Sequence, residues 1–276
     1  MHVEQPIAVF DSGMGGLTVV SEIMSVLPDE AIFYFGDTAR CPYGDRNPNQ
    51  VLEFSLQIAD FLLSQQVKLL VVACNTATAV ALPELQRRSP IPVLGVIQPG
   101  ARAAVNSATP RRRRIGVIGT AVTIASGAYA DAVHVLDPAV DVVSLACPQF
   151  VPLVESGRWD GPDVEQVVRE SLLPLLLYDI DALILGCTHY PLLSAPIARV
   201  VGPQVQLISS AAETAREVRE VLARLRLLRP SGAPPIHRFY TTGDEQKMKA
   251  AVQGWMGLPP DKARVRCVDA MALHAR

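Results

Sequence analysis

The chain of 276 residues has no charge imbalance, few aromatics and no long apolar run. Its 25 basic and 27 acidic side chains give a formal charge of −2, so the basic excess that usually marks phosphate-backbone binding is missing. Aromatic residues make up 5% of the chain, too few for base-stacking platforms, and no nucleic-acid partner is expected. No segment approaches the roughly 20 apolar residues that a membrane-spanning helix needs. The opening MHVEQPIAVFDSG has no basic stretch, apolar core and small-residue cleavage site in succession, so a cytoplasmic location away from membranes is expected. The five cysteines, at 41, 74, 147, 187 and 267, are odd in number and form no C-x-x-C pair, which disfavours a disulfide framework and a metal cluster. Lysine is scarce too: Lys68, Lys247, Lys249 and Lys262 stand against 21 arginines. The Arg111 to Arg114 run, flanked by Pro110 and an apolar stretch, reads as a solvated loop.

What is present is apolar content of 49%, enough for one large domain or two small ones, and a regular alternation. Short apolar, β-branched runs occur at Ile7 to Phe10, Ile32 to Phe35, Leu69 to Ala73, Val93 to Ile97, Ile115 to Ile118, Val142 to Leu145, Ala182 to Leu185 and Val205 to Ile208. Continuous runs of this kind suit parallel strands buried on both faces. Between them Asn49 to Ser64, Gly161 to Leu177 and Ala211 to Leu228 carry apolar residues every three or four positions, as helices do. The fold class is α/β. A weak internal repeat divides it: Ile7-Ala-Val-Phe-Asp-Ser is echoed by Ile115-Gly-Val-Ile-Gly-Thr, and Leu69-Leu-Val-Val-Ala-Cys-Asn-Thr by Ala182-Leu-Ile-Leu-Gly-Cys-Thr-His. Two similar doubly wound domains with mostly parallel sheets follow, related by pseudo-twofold symmetry, with a site in the cleft between them. Gln98-Pro-Gly-Ala is a candidate linker and Ser209-Ser-Ala a second crossing, which assigns 1–97 plus 210–276 to the first domain and 98–209 to the second.

Four turns carry chemistry-bearing residues. Asp11-Ser-Gly-Met-Gly-Gly16 follows a strand and opens a helix, a place suited to an anionic group. A dinucleotide fingerprint would need glycine at 18, which is Thr18, so Asp37 is only a weak ribose partner. Gly36-Asp-Thr-Ala-Arg-Cys-Pro-Tyr-Gly44 ends in a turn that leaves the Tyr43 and Gly44 N–H groups for a ligand, with Cys41 a bystander that has no base nearby. Cys74-Asn-Thr and Cys187-Thr-His each close an apolar strand. A lone strand-end cysteine is usually a small buried hydrophobe. Two in matching contexts of a repeat, with helix N-termini following both and His189 beside the second, point to thiol chemistry. Opposed across a cleft, they supply the acid and base that racemisation at a stereocentre requires. A disulfide between them would need Cα atoms within about 7 Å and leave no room for a substrate. A pyridoxal route needs a Schiff-base lysine, and all four lysines lie outside these turns, so no cofactor is expected.

These residues resemble a known family. Asp11-Ser-Gly-x-Gly-Gly, Gly36-Asp-Thr-Ala-Arg-Cys-Pro-Tyr-Gly, Ala73-Cys-Asn-Thr-Ala and Leu185-Gly-Cys-Thr-His-Tyr-Pro-Leu are similar, in order and spacing, to the motifs of bacterial glutamate racemases, and Phe239-Tyr-Thr-Thr-Gly-Asp244 resembles a segment near the family's C-terminus. The resemblance implies cofactor-independent interconversion of L- and D-glutamate, supplying D-glutamate for peptidoglycan, by a cytoplasmic homodimer. It implies that Cys74 acts on the D side and Cys187 on the L side. Asp11 would assist Cys74 and meet the substrate ammonium, and His189, supported by Glu155, would assist Cys187. Ser12, Tyr43, Gly44, Asn75, Thr76, Thr188 and Thr120 would hold the substrate's polar groups. Val122 stands where glycine is expected, which weakens the expectation for Thr120. The rival readings are an aspartate or related amino-acid racemase, and a non-catalytic two-lobed binding protein.

Overall fold

The structure is a computed structural model describing residues 1–108, 113–232, 234–270 and 273. The chain begins β1 (Ile7–Asp11), α1 (Leu17–Val26), β2 (Ile32–Gly36), α2 (Pro48–Ser64), β3 (Leu69–Val72), α3 (Asn75–Arg88), β4 (Val93–Gly95) and α4 (Ile97–Ser107). It continues β5 (Arg114–Gly119), α5 (Ala121–Ala125), α6 (Ala128–Leu136), β6 (Asp141–Ala146), α7 (Phe150–Glu155), α8 (Pro162–Leu172), β7 (Ala182–Gly186), α9 (Ser194–Val201) and β8 (Gln206–Ser209). It closes with α10 (Ser210–Arg224), β9 (His237–Thr241), α11 (Glu245–Met256) and β10 (Ala263–Cys267).

The strands form two parallel sheets, ordered β10-β9-β2-β1-β3-β4 and β6-β5-β7-β8. Within these, β2-β1-β3-β4 and β6-β5-β7-β8 run in the same order, the structural counterpart of the sequence repeat. Both sheets are α/β in the way the continuous apolar runs require: every residue of β1, β2, β3 and β7 is buried, with helices on both faces. Each fully buried branched side chain there contributes about 1.5–3 kcal/mol relative to exposure.

Two expectations from the sequence change. Gln98 to Ala101, where the chain passes from the first sheet to the second, is helical: Pro99 sits in the first turn of α4, where its missing N–H leaves no bond unmade. Ile97, Ala101 and Ala104 of that helix pack on the second sheet. The helix expected over Gly161 to Leu177 stops at Leu172, ahead of Pro174, and resumes only as a single tight turn at Leu175–Leu177. The strands β9 and β10 extend the first sheet beyond β2 and carry no continuous apolar run, since His237–Thr241 alternates buried and exposed and Ala263–Cys267 bears two arginines. In the arginine run, Arg111 and Arg112 lie outside the described residues; Arg113 pairs with Asp137, and Arg114 opens β5 and pairs with Asp141 at 2.6 Å.

The chain crosses from the second sheet at Ser209, whose hydroxyl accepts from the Ala211 N–H and so caps α10. Ala211, Ala215, Val218 and Leu222 of α10 join the core formed by β1 and α1. Trp159 and Trp255 meet edge-on at 5.7 Å, joining the α7–α8 connection to α11.

Candidate active site

In a parallel sheet, ligands gather beyond the carboxyl ends of the strands, where the chain turns into helices. Here the carboxyl ends of β1, β3, β5 and β7 present Asp11, Cys74, Thr120 and Cys187, so the equivalent third strands of both sheets end in the two cysteines. The two sets of turns touch one another. Thr76 Oγ1 lies 2.9 Å from Thr120 Oγ1, and Thr18 Oγ1 donates to the Thr188 carbonyl at 3.2 Å. At Gly15 a Cβ would fall 2.6 Å from both His189 Nδ1 and Thr188 Oγ1, so only glycine permits that approach.

Cys74 is the N-cap of α3 and is 5% exposed. Its sulfur accepts the Ala77 N–H at 3.4 Å and lies 3.7 Å from Ser12 Oγ. Burial, and then the negative charge of Asp11, push the thiol well above its ordinary value, against the pull of the Ala77 N–H and the Ser12 hydroxyl. Asp11 is fully buried; its Oδ2 accepts from the Gly16 N–H at 2.9 Å and the Gly13 N–H at 3.3 Å. Burial raises its carboxyl, while the charge of His189 and the backbone donors hold it down. Its Oδ1 is buried with no partner. The Nδ2 of Asn75, at the first turn of α3, is likewise buried and unpartnered. Unsatisfied buried polar atoms are costly, and a matched acceptor and donor beside a cysteine suit an ammonium and a carboxylate.

Cys187 has different surroundings. The expected helix N-terminus is absent there: Tyr190–Leu193 is a 3₁₀ turn and α9 starts only at Ser194. Its partner is His189, whose Nδ1 lies 3.8 Å from the sulfur. His189 Nε2 lies 2.9 Å from Glu155 Oε1 at the end of α7. Burial disfavours the imidazolium, but the Cys187 and Glu155 hydrogen bonds outweigh it and raise the His189 pKa to about 10. The Glu155 carboxyl is lowered by His189 in return. The turn is held by Tyr190, which stacks edge-on against Phe150 at 5.1 Å and donates to the Cys147 carbonyl at 2.9 Å.

Tyr43 and Gly44 lie in a buried 3₁₀ turn against Thr120, where a Cβ on Gly44 would come within 2.6 Å of the Thr120 Cβ. Thr120 caps α5 through the Thr123 N–H at 3.3 Å, and Val122 lies inside that helix without a positive φ, so the missing glycine leaves the turn intact. Asp37 is spent internally on Arg40, Tyr43 and Thr242, which removes it as a ribose partner. The sequence missed one neighbour: Cys41 is no bystander, for its Sγ lies 3.7 Å from Glu155 Oε1 and a Cβ on Gly13 would meet it at 2.9 Å. No group of three or more His, Cys, Asp or Glu able to hold a metal occurs among the described residues.

Residues 17–218 match the model of the Asp/Glu/hydantoin racemase family. The chain belongs to this family. Among curated members it is 51% identical to the glutamate racemase of Exiguobacterium sibiricum over 95% of this chain and 96% of that one. It is 48% identical to the glutamate racemase of Bacillus cereus over 96% and 97%. Of solved structures, glutamate racemase isoform RacE1 of Bacillus anthracis superposes with a TM-score of 0.92 at 47% identity, covering 97% of this chain and 98% of that chain. The Francisella tularensis glutamate racemase in complex with D-glutamate gives 0.89 at 37%, covering 98% and 99%. An aspartate racemase homologue of Pyrococcus horikoshii, 17% identical with a TM-score of 0.56, shares the fold alone. Membership makes the chain an amino-acid racemase, and its strand-end cysteines stand in the fold shared by these racemases.

Proposed function

We propose that the chain interconverts L- and D-glutamate without a cofactor, by two-base proton transfer at the α-carbon, and so supplies D-glutamate for peptidoglycan. The observation that carries the mechanism is the placement of Cys74 and Cys187 at equivalent strand ends with unlike neighbours. Glutamate is favoured over aspartate by the relatives' identity, since the aspartate racemase likeness is one of fold.

The substrate ammonium takes Asp11 Oδ1, and the α-carboxylate takes Asn75 Nδ2 with the hydroxyls of Ser12, Thr76, Thr120 and Thr188 and the Tyr43–Gly44 turn nearby. From D-glutamate, the Cys74 thiolate removes the α-proton and becomes a thiol. The carbanion then takes a proton on its opposite face from the Cys187 thiol, leaving a thiolate beside the His189 imidazolium. From L-glutamate the same steps run backward. The α-hydrogen is far less acidic than a thiol of ordinary pKa about 8.5. Donors fixed at the α-carboxylate supply the difference by stabilising the charge that spreads onto it, a contribution often worth several kcal/mol. Substrate ammonium against Asp11 also offsets the charge that raises Cys74, so binding itself favours the Cys74 thiolate.

A cytoplasmic homodimer completes the reading. Its support is an exposed apolar stretch at Leu173, Leu176, Leu177 and Tyr178, and the lack among the described residues of any helix long and apolar enough to cross a membrane.

The test is solvent exchange. Purified protein without added cofactor, in heavy water, exchanges the α-hydrogen of glutamate and erases its optical rotation, with aspartate run in parallel. Absence of exchange with both glutamate enantiomers would refute the activity; faster exchange with aspartate would reassign the substrate.

A further inference from the structure

Tyr129, in α6, lies at the meeting point of both chain crossings and the substrate turn. Its hydroxyl donates to Asn75 Oδ1 at 2.7 Å. Ser210, at the start of α10, is its neighbour, and the Ser210 hydroxyl draws the phenol's pKa back down. A Cβ on Gly100 of α4 would lie 3.4 Å from the same phenol oxygen and 3.1 Å from Ser210 Cβ, so the helix is pared back to admit the contact. The ring is 2% exposed, and burial pushes the phenol above its ordinary range, so it stays protonated.

A side-chain amide has two faces of opposite polarity, and nothing intrinsic chooses between them. A protonated phenol has one proton to give. Here that proton is spent on Asn75 Oδ1, and the Asn75 Nδ2 is left as the buried unpartnered donor. The reverse orientation would put a carbonyl oxygen where the substrate carboxylate arrives, opposing like partial charges at short range.

We propose that Tyr129 is a positioning residue that locks the Asn75 amide with its nitrogen toward the substrate carboxylate, reaching from the second sheet to a turn of the first. This inference rests on Asn75 being a substrate donor. Tyr129 touches no reacting atom, and its effect passes entirely through Asn75.

The experiment is a double-mutant cycle on the full chain, with Tyr129→Phe, Asn75→Ala and the pair, measuring kcat/KM for both glutamate enantiomers. Tyr129→Phe lowers kcat/KM about tenfold, equally for L and D because the equilibrium constant of one is unchanged. In the Asn75→Ala background the same substitution has no further effect, a result that a general loosening of the helix packing would not produce. Ser210→Ala, which removes the hydroxyl beside the phenol, gives a two- to threefold loss that also vanishes in that background, and it serves if Tyr129→Phe does not fold. Wild-type kcat/KM in Tyr129→Phe, or losses that multiply in the double variant, overturn the role of Tyr129. Wild-type kcat/KM in Asn75→Ala overturns the placement of Asn75 on the substrate, and with it this inference.

Discussion

His189 Nε2 lies 2.9 Å from Glu155 Oε1, and this contact turns an isolated thiol–imidazole pair into a chain of three groups running from Cys187 toward the surface. Glu155 is one-third exposed while His189 is 2% exposed, so the carboxylate meets water and the imidazolium does not.

Glu155→Gln leaves the shape and removes the charge. The kcat/KM for glutamate falls about 10- to 100-fold, the range typical of groups that orient and charge a catalytic side chain from behind. The sign of the pH effect follows from the raised His189 pKa of about 10. Stability from the charged histidine is complete below its ordinary value near 6.5 and is lost as pH rises through about 10. Thermal unfolding midpoints of the wild type therefore fall progressively between about pH 6.5 and 10, and the Glu155→Gln variant shows a smaller fall that is complete at lower pH.

Each face of the α-carbon needs its own base. Cys74→Ser and Cys187→Ser each reduce racemisation by about a thousandfold or more, since a hydroxyl is a far poorer base than a thiolate. Polarimetry checks this, and near-normal turnover in either variant contradicts the two-base assignment.

Asp11 raises Cys74 by charge, so Asp11→Asn lowers the Cys74 pKa. Thiolate absorbance in a Cys187→Ser background rises at lower pH in this variant. Racemisation nevertheless falls about 100-fold, because the substrate ammonium loses its partner.

Gly15→Ala places a methyl 2.6 Å from His189 Nδ1 and Thr188 Oγ1. Overpacking of this kind costs about 1–3 kcal/mol. The two sets of turns are held apart, and kcat/KM drops at least tenfold, measured beside a denaturation curve that reports the folding cost.

Lys68 and Glu30 form a buried ion pair at 2.6 Å on the far side of the first sheet, with Lys68 Nζ also donating to the Val3 and Leu227 carbonyls. Lys68→Met strands the carboxylate and lowers stability by about 3–5 kcal/mol. Activity at a temperature where the variant stays folded is unchanged, which separates this cluster from the chemistry.

Eight of the ten strands among the described residues are legible in the sequence because burial on both faces writes an unbroken apolar run. Strands β9 and β10 are hidden for the opposite reason: Arg238, Arg264 and Arg266 face solvent at the sheet's end. Gln98 to Ala101 reads as a linker through its Pro-Gly pair, yet packing against the second sheet carries it into α4. In the site, Cys74 and Cys187 stand out through the repeat, whereas the contacts of Cys41 with Glu155 and of Tyr129 with Asn75 span 114 and 54 residues of sequence. Local pattern carries no signal for such pairs, which depend on how the two sheets come together.

The shared strand order has a kinetic consequence. Mirror-image substrates have equal free energies in water, so the ratio kcat/KM must be the same from either enantiomer, whatever the protein does. Equivalent strand ends give the two thiols matching positions, but Ser12 and the Ala77 N–H serve one while His189 and Glu155 serve the other. The imbalance is therefore confined to kcat and KM taken separately: the enantiomer bound more tightly must be turned over more slowly by the same factor.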